Sequence, residues 1–140
     1  MDTIHLKIIT PKKVVLDEEV KTVSIPTFRG EITVLPHHTH LFALLVEGVI
    51  KIRKEAVEDY LAIGGGYMET DGRELHVLVS RAYGQSEIDQ ELIQKSIESA
   101  KKILSQSKDR NERIQATAML RRSLIDMKLI KKRKAPRSVS

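Results

Sequence analysis

The hydrophobic pattern of this 140-residue chain changes period once, near Gly84, and that change constrains the fold more than any motif does. Before it, apolar residues alternate with polar ones. Leu6 goes with Ile8 in LKIIT (6–10), Val23 with Ile25 in VKTVSI (20–25), and Ile32 with Val34 in EITVL (31–35). Ile50 and Ile52 repeat the pattern in VIKIR (49–53), as do Leu75, Val77 and Val79 in ELHVLV (74–79). Successive side chains of a strand point to opposite faces, so a period of two lays each set on one side of a sheet. The turn signals TPKK, PTFRG, VEGV and TDGR punctuate the segments, with Gly30, Gly48 and Gly72 supplying the positive φ that tight turns need. Short strands broken by turns about every eight to twelve residues predict a compact antiparallel sandwich or barrel.

After Gly84 the period becomes helical. Ser86-Glu87-Ile88-Asp89 reads as an approximate capping box, in which the Ser86 hydroxyl accepts from a first-turn N–H. Ile88, Leu92, Ile93, Ile97, Ala100 and Leu104 then fall on one face, SQSKD (105–109) interrupts, and Asp109 followed by Glu112 marks a second start. Ile114, Ala118, Leu120, Leu124, Met127 and Ile130 carry a second apolar stripe through about 25 residues, roughly 37 Å of helix. Helices with so short a link lie antiparallel. The expected architecture is an all-β sandwich or barrel N-terminal domain (1–84) followed by a C-terminal antiparallel α-helical hairpin (85–140). Its end, KKRKAPRSVS, is a basic tail that Pro136 keeps from continuing the helix.

Charge divides along the same line. Residues 101–140 hold thirteen Lys and Arg against three Asp and Glu, a net of +10, whereas residues 1–100 hold eleven against sixteen, a net of −5. Such asymmetry is the mark of an appendage that meets an acidic surface. Nucleic acid is one candidate, and a basic nucleic-acid-binding protein using the C-terminal helices is the alternative reading of the whole chain. Against it stand an aromatic content of 4% and the lack of a recognisable nucleic-acid module in the β part. No apolar run approaches twenty residues, which argues for a soluble protein, and the start lacks the regions of a signal peptide. With no cysteine there are neither disulfides nor thiolate zinc sites, which fits a reducing compartment.

The motifs exclude most catalysis. Gly64-Gly65-Gly66 is followed by no helix and no Lys-Ser/Thr pair, so it reads as a strand that bulges or lets another backbone approach, not as a phosphate loop. Glu18 and Glu19 are adjacent, and on a strand they point to opposite faces, unsuited to shared acid–base work. PHHTH (36–40) concentrates His37, His38 and His40, and His38 and His40 share a face in an extended segment. Zinc needs three or four protein ligands and no second cluster accompanies them, so a polar loop is preferred to a metal site. No catalytic residue and no cofactor is expected.

Taken together, the β segments resemble the epsilon subunit of the bacterial rotary ATP synthase. GEITVLPHHTHL (30–41) is similar to that family's GEITVLP and the His-containing loop after it, LAIGGGYMET (61–70) to its Gly-Gly strand. LKIITPKKVVLDEEVKTVSIPT (6–27) resembles its opening strands and HVLVSRA (76–82) its closing strand. The resemblance implies a central-stalk rotor subunit without catalysis of its own, peripheral on the cytoplasmic face of a bacterial membrane. Its sandwich would bind the gamma subunit and rest on the c ring. Its helices would restrain ATP hydrolysis by meeting an acidic loop of the beta subunit.

By that resemblance Glu31 and the loop His37, His38, Thr39 and His40 become a tip docking on the c ring. His37 stands in place of the family's Gly or Asn, Thr39 of its Ala and His40 of its Pro; Phe28 and Arg29 replace residues that are often acidic. Arg110, Arg113, Arg121, Arg122, Lys128, Lys131 and Lys132 become the inhibitory arm. Some members bind ATP through an Ile/Leu-Asp-x-x-Arg-Ala motif. This chain keeps Ile88-Asp89 but has Leu92-Ile93 where Arg-Ala would stand, and leucine cannot pair with phosphate, so weak or absent ATP binding is expected.

Overall fold

The computed structural model describes residues 2–38 and 40–132. Thr39 of the histidine loop and most of the basic tail, Pro136 included, lie outside the described residues. Ten strands come first: β1 (Ile4–Ile9), β2 (Val14–Val20), β3 (Thr22–Thr27), β4 (Gly30–Val34), β5 (Leu41–Leu45), β6 (Gly48–Arg53), β7 (Glu58–Ile63), β8 (Gly66–Thr70), β9 (Glu74–Val79) and β10 (Ala82–Tyr83). A 3₁₀ turn (Gln85–Glu87) leads to α1 (Gln90–Gln106) and α2 (Arg110–Lys131). The strands run β10-β7-β6-β3-β5-β8-β9-β1-β2 across one sheet, with β4 paired to β3. The sheet curls until its ends face each other. Lys54, at the end of β6, bridges Glu18 of β2 at 3.0 Å and Asp59 of β7 at 2.9 Å. All pairings are antiparallel except β1 with β9, which is parallel, a departure from the purely antiparallel expectation.

The alternation read in the sequence sets the core. Leu6, Ile8, Val23, Ile25, Ile50, Ile52, Leu75 and Val77 are all fully buried, each side chain stabilising by about 1.5–3 kcal/mol. Glu18 and Glu19 do diverge, Glu18 to Lys54 and Glu19 to Thr3 and His5. At Gly66 another backbone comes close, and a Cβ there would strike the Leu78 carbonyl oxygen; at Gly64 side chains do, and a Cβ would strike the Ser80 hydroxyl. Gly30 and Gly72 take positive φ, 111° and 93°, but Gly48 does not. Gly48 is needed instead because a Cβ there would press to 3.1 Å on the Pro26 ring.

In the hairpin two expectations are corrected. The cap of α1 is Asp89, whose carboxylate accepts from the N–H of Glu91 and Leu92, and not Ser86; Glu87 reaches back to the Gly84 N–H at 2.9 Å. Along α1, Ile93, Ile97 and Ala100 are buried as the stripe requires, but Leu92 falls off it and is 60% exposed. On α2 the buried residues are Ala116, Ser123 and Leu129, while Ile114 and Leu124 of the expected stripe face solvent. Small side chains at Ala116 and Ser123 let α1 approach closely, so burial there follows residue size more than hydrophobicity.

Candidate functional site

The histidine loop is pinned from below by the turn between β8 and β9. The N–H of His37 donates to the Gly72 carbonyl at 2.8 Å, and that of His38 to Leu35 at 3.3 Å. His37 adopts φ 65°, a left-handed conformation that leaves its ring exposed and 3.5 Å from the Asp2 carboxylate. The turn itself is tied by Thr70, which donates to the Glu74 carbonyl, and by Asp71, which accepts from the N–H of Glu74 and Arg73. Those two backbone donors, with His40 nearby, hold the Asp71 carboxyl below its usual range. Among the described residues no group of three His, Cys, Asp or Glu side chains is placed to hold a metal ion.

Glu31 stands apart from the histidines. It is the second residue of β4, opposite Pro26, by the β3–β4 turn where Phe28 N–H donates to the Leu44 carbonyl. The histidines sit at the other end of β5, about 13 Å away along four strand residues. The span between is apolar and open to solvent. Phe42 and Leu44 point outward from β5 at 60% and 54% exposure, Tyr67 of β8 stacks on Phe42 at 5.3 Å, and Phe28 is 75% exposed. Exposed apolar residues gathered in one strip mark an interaction surface. Sequence reasoning missed it because LFALL looks uniformly core-like, and only its register with β8 shows which residues face out.

A different surface runs along α2. Arg110, Ile114, Thr117, Arg121, Leu124, Lys128 and Lys131 recur at spacings of three and four, so they share one side of the helix, and all are exposed. Among the described residues none of Arg110, Arg121, Lys128 and Lys131 forms an ion pair, which leaves their charge available. Arg113 is occupied, donating to the carbonyls of Leu104 and Ser107 across the hairpin turn. Lys132 lies over the Tyr60 ring at 5.5 Å, and Arg122 lines a cavity on the other side of α2.

That cavity, of about 630 Å³, lies between α1, α2 and the end of the sheet. Ile88 and Asp89 line it, but Asp89 spends its carboxylate on the α1 cap, and the site expected of an arginine is occupied by Leu92. Nearby, Tyr83 donates to Asp126, and Gln85 Nε2 donates to the carbonyls of Leu129 at 2.7 Å and Ile130 at 3.4 Å. Burial first, then the Asp126 partnership, raises the Tyr83 phenol above its usual range. The hairpin is thus folded back, with α2 resting against β6 and β7.

The family model for the beta-sandwich domain of the ATP synthase delta/epsilon chain matches residues 3–85. The chain is 38% identical over 111 residues to the ATP synthase epsilon chain of Aliarcobacter butzleri, covering 79% of this chain and 89% of that one. It belongs to the ATP synthase epsilon-chain family. A second epsilon chain, from Campylobacter fetus, is 38% identical over 86% of this chain and 94% of its own. The chloroplastic epsilon chain of Coffea arabica is 33% identical over 86% and 92%.

Among solved structures, a chain in the Euglena gracilis mitochondrial ATP synthase assembly of OSCP, F1 and c-ring superposes with a TM-score of 0.75 at 26% identity. That match covers 94% of this chain and 79% of the other. A chain of the Tetrahymena thermophila central stalk and c-ring shares the fold, with a TM-score of 0.57 at 12% identity. The epsilon fold therefore extends over both the sandwich and the hairpin. No helix among the described residues is long and apolar enough to cross a membrane.

Proposed function

We propose that this chain is a non-catalytic rotor subunit of a proton-translocating ATP synthase, joining the gamma subunit to the c ring through residues 1–84. Residues 85–140 restrain ATP hydrolysis when the α2 cations meet an acidic loop of the beta subunit. In this reading it works at the cytoplasmic face of a bacterial membrane, held there by the complex. The observation that carries the reading is the separation of two open surfaces. One is an apolar strip, Phe28, Phe42, Leu44 and Tyr67, on the sandwich; the other is a cationic stripe on α2.

The division of labour follows from the physics of each surface. Apolar burial is salt-insensitive and suits a permanent joint. Exposed charge pairs contribute about 0.2–1 kcal/mol each and weaken with salt, which suits a reversible brake. The docking tip would be Glu31 with His37, His38, Thr39 and His40, now in two parts flanking the strip, and the arm Arg110, Arg121, Lys128 and Lys131 before Arg113, Arg122 and Lys132.

The test is reconstitution with gamma, beta and c ring. A chain ending after Gly84 keeps every strand, so it should assemble normally and release ATP hydrolysis; Phe42→Asp with Leu44→Asp should fail to assemble. Normal hydrolysis by the truncated complex would remove the brake from this reading, and normal assembly of the double variant would remove the joint.

A further inference from the structure

Four side chains form a continuous polar line from the sandwich to α2. Glu47, in the turn between β5 and β6, accepts from Arg81 Nη2 at 2.8 Å, with both side chains about three-quarters buried at 27% and 24% exposure. The Arg81 guanidinium lies beside the Tyr83 phenol, which donates its proton to the Asp126 carboxylate on α2. Tyr83 ends β10 and is paired with Ala62 of β7, so its ring is fixed in the sheet. Asp126 is half-buried and, among the described residues, has no cation partner. The phenol is therefore the group that makes burial of this carboxylate tolerable.

We propose that the Tyr83–Asp126 hydrogen bond is a latch that holds the helical hairpin against the sandwich, with the Arg81–Glu47 pair acting as its positioning support. The chemistry of each group fits that role. Arg81 can only donate, so a guanidinium beside the phenol offers it no acceptor and leaves the phenol proton to Asp126 on α2. Glu47 keeps the guanidinium from swinging directly to Asp126, where it would form a stronger ion pair less easily broken. Gln85 works beside the latch by donating to two carbonyls of the last turn of α2, those of Leu129 and Ile130. Water can replace every one of these partners once the hairpin lifts. The latch is thus strong enough to bias a position and weak enough to be released.

The latch concerns where the hairpin rests, and only its effect on hydrolysis depends on the function proposed above. The chain has no cysteine, so Arg53→Cys with Lys108→Cys places spin labels on the exposed end of β6 and the tip of the hairpin with no background. Pulsed dipolar distances on the full chain should show one docked population. Tyr83→Phe and Asp126→Ala should each shift the docked-to-lifted ratio at least about tenfold towards lifted, as expected for a hydrogen bond to a charged group. The two changes together should do no more than either alone. Glu47→Gln should produce a smaller shift that disappears when Tyr83 is already Phe.

Unchanged distances in both single variants, or fully additive effects, would overturn the latch. An independent effect of Glu47→Gln would overturn the supporting role of the Arg81 pair. Unaltered thermal unfolding of the sheet in Asp126→Ala, which touches only α2, separates release from misfolding. In the reconstituted synthase, Tyr83→Phe should deepen inhibition of ATP hydrolysis. A lifted hairpin without deeper inhibition would support the latch and count against the brake, whereas deeper inhibition with an unshifted hairpin would count against the latch.

Discussion

Gly72 and His38 meet backbone to backbone, so closely that a Cβ on Gly72 would lie 2.6 Å from the His38 carbonyl oxygen. The histidine loop thus takes its shape from a turn more than thirty residues away. Gly72 also holds φ 93°, where any side chain is strained. Gly72→Ala should therefore cost about 1–3 kcal/mol, read as a lower urea midpoint with unchanged slope. The same variant should weaken assembly with the c ring, because His37 and His38 lose their support. A variant of wild-type stability would show that the turn yields freely.

His5 carries a pH dependence of its own. Its Nδ1 faces Glu19 at 2.7 Å and its Nε2 faces Asp17, and both carboxylates raise the imidazole above its ordinary value of 6.5, Glu19 the more. A raised folded value means the contribution is complete below about pH 6.5 and is lost as pH climbs through the folded value. Glu19 is lowered from 4.5, by Thr3 first and His5 second, so its share is lost as pH falls through that lowered value. The bridge between β1 and β2 should be strongest between these limits. The difference in unfolding midpoint between wild type and His5→Gln should be larger at pH 5.5 than at pH 8.5, and equal differences would exclude the bridge.

Leu129 and Met68 are both fully buried, but in separate units. Truncating either to alanine removes about 2–5 kcal/mol of packing. Met68→Ala should lower global stability by that amount. Leu129→Ala should instead speed hydrogen exchange in α1 and α2 while β-sheet amides keep their protection, since the hairpin can open without the sheet. Faster exchange throughout the sheet in Leu129→Ala would mean that hairpin and sandwich unfold as one.

The cavity between the helices offers a direct check on nucleotide affinity. Arg122 supplies one cation and Leu92 occupies the place of another, so calorimetry on the full chain should detect no micromolar binding of ATP. Leu92 is 60% exposed, so Leu92→Arg costs little packing and should bring measurable affinity. Micromolar binding by the wild-type chain would contradict this account.

The sheet was legible where one face is apolar and the other polar, as in Leu75, Val77 and Val79. It was not legible in β5, where Phe42 and Leu44 are as apolar as the inward Leu45 and erase the alternation. Helix α2 misled for the opposite reason: its contacts use Ala116 and Ser123, which no hydrophobic stripe includes, while Ile114 and Leu124 stay in solvent. The cap at Asp89 was hidden by Ser86 three residues earlier, an equally good capping acceptor in sequence that the 3₁₀ turn leaves unused. The candidate tip was half readable, since the histidines cluster in the chain itself. Their distance from Glu31, and the strip that joins the two, depend on strand register, which a linear pattern does not contain.

Gln85 grips the final turn of α2 from the very segment out of which α1 departs, and this closes the hairpin into a loop of fixed circumference. One residue inserted within either helix would rotate everything beyond it by about 100° and carry Asp126 and Leu129 away from their seats. Length variation should therefore be tolerated at the Ser107–Asp109 elbow or beyond Lys132, and nowhere in between, so the connector serves as a gauge that measures the helices as well as a joint that holds them.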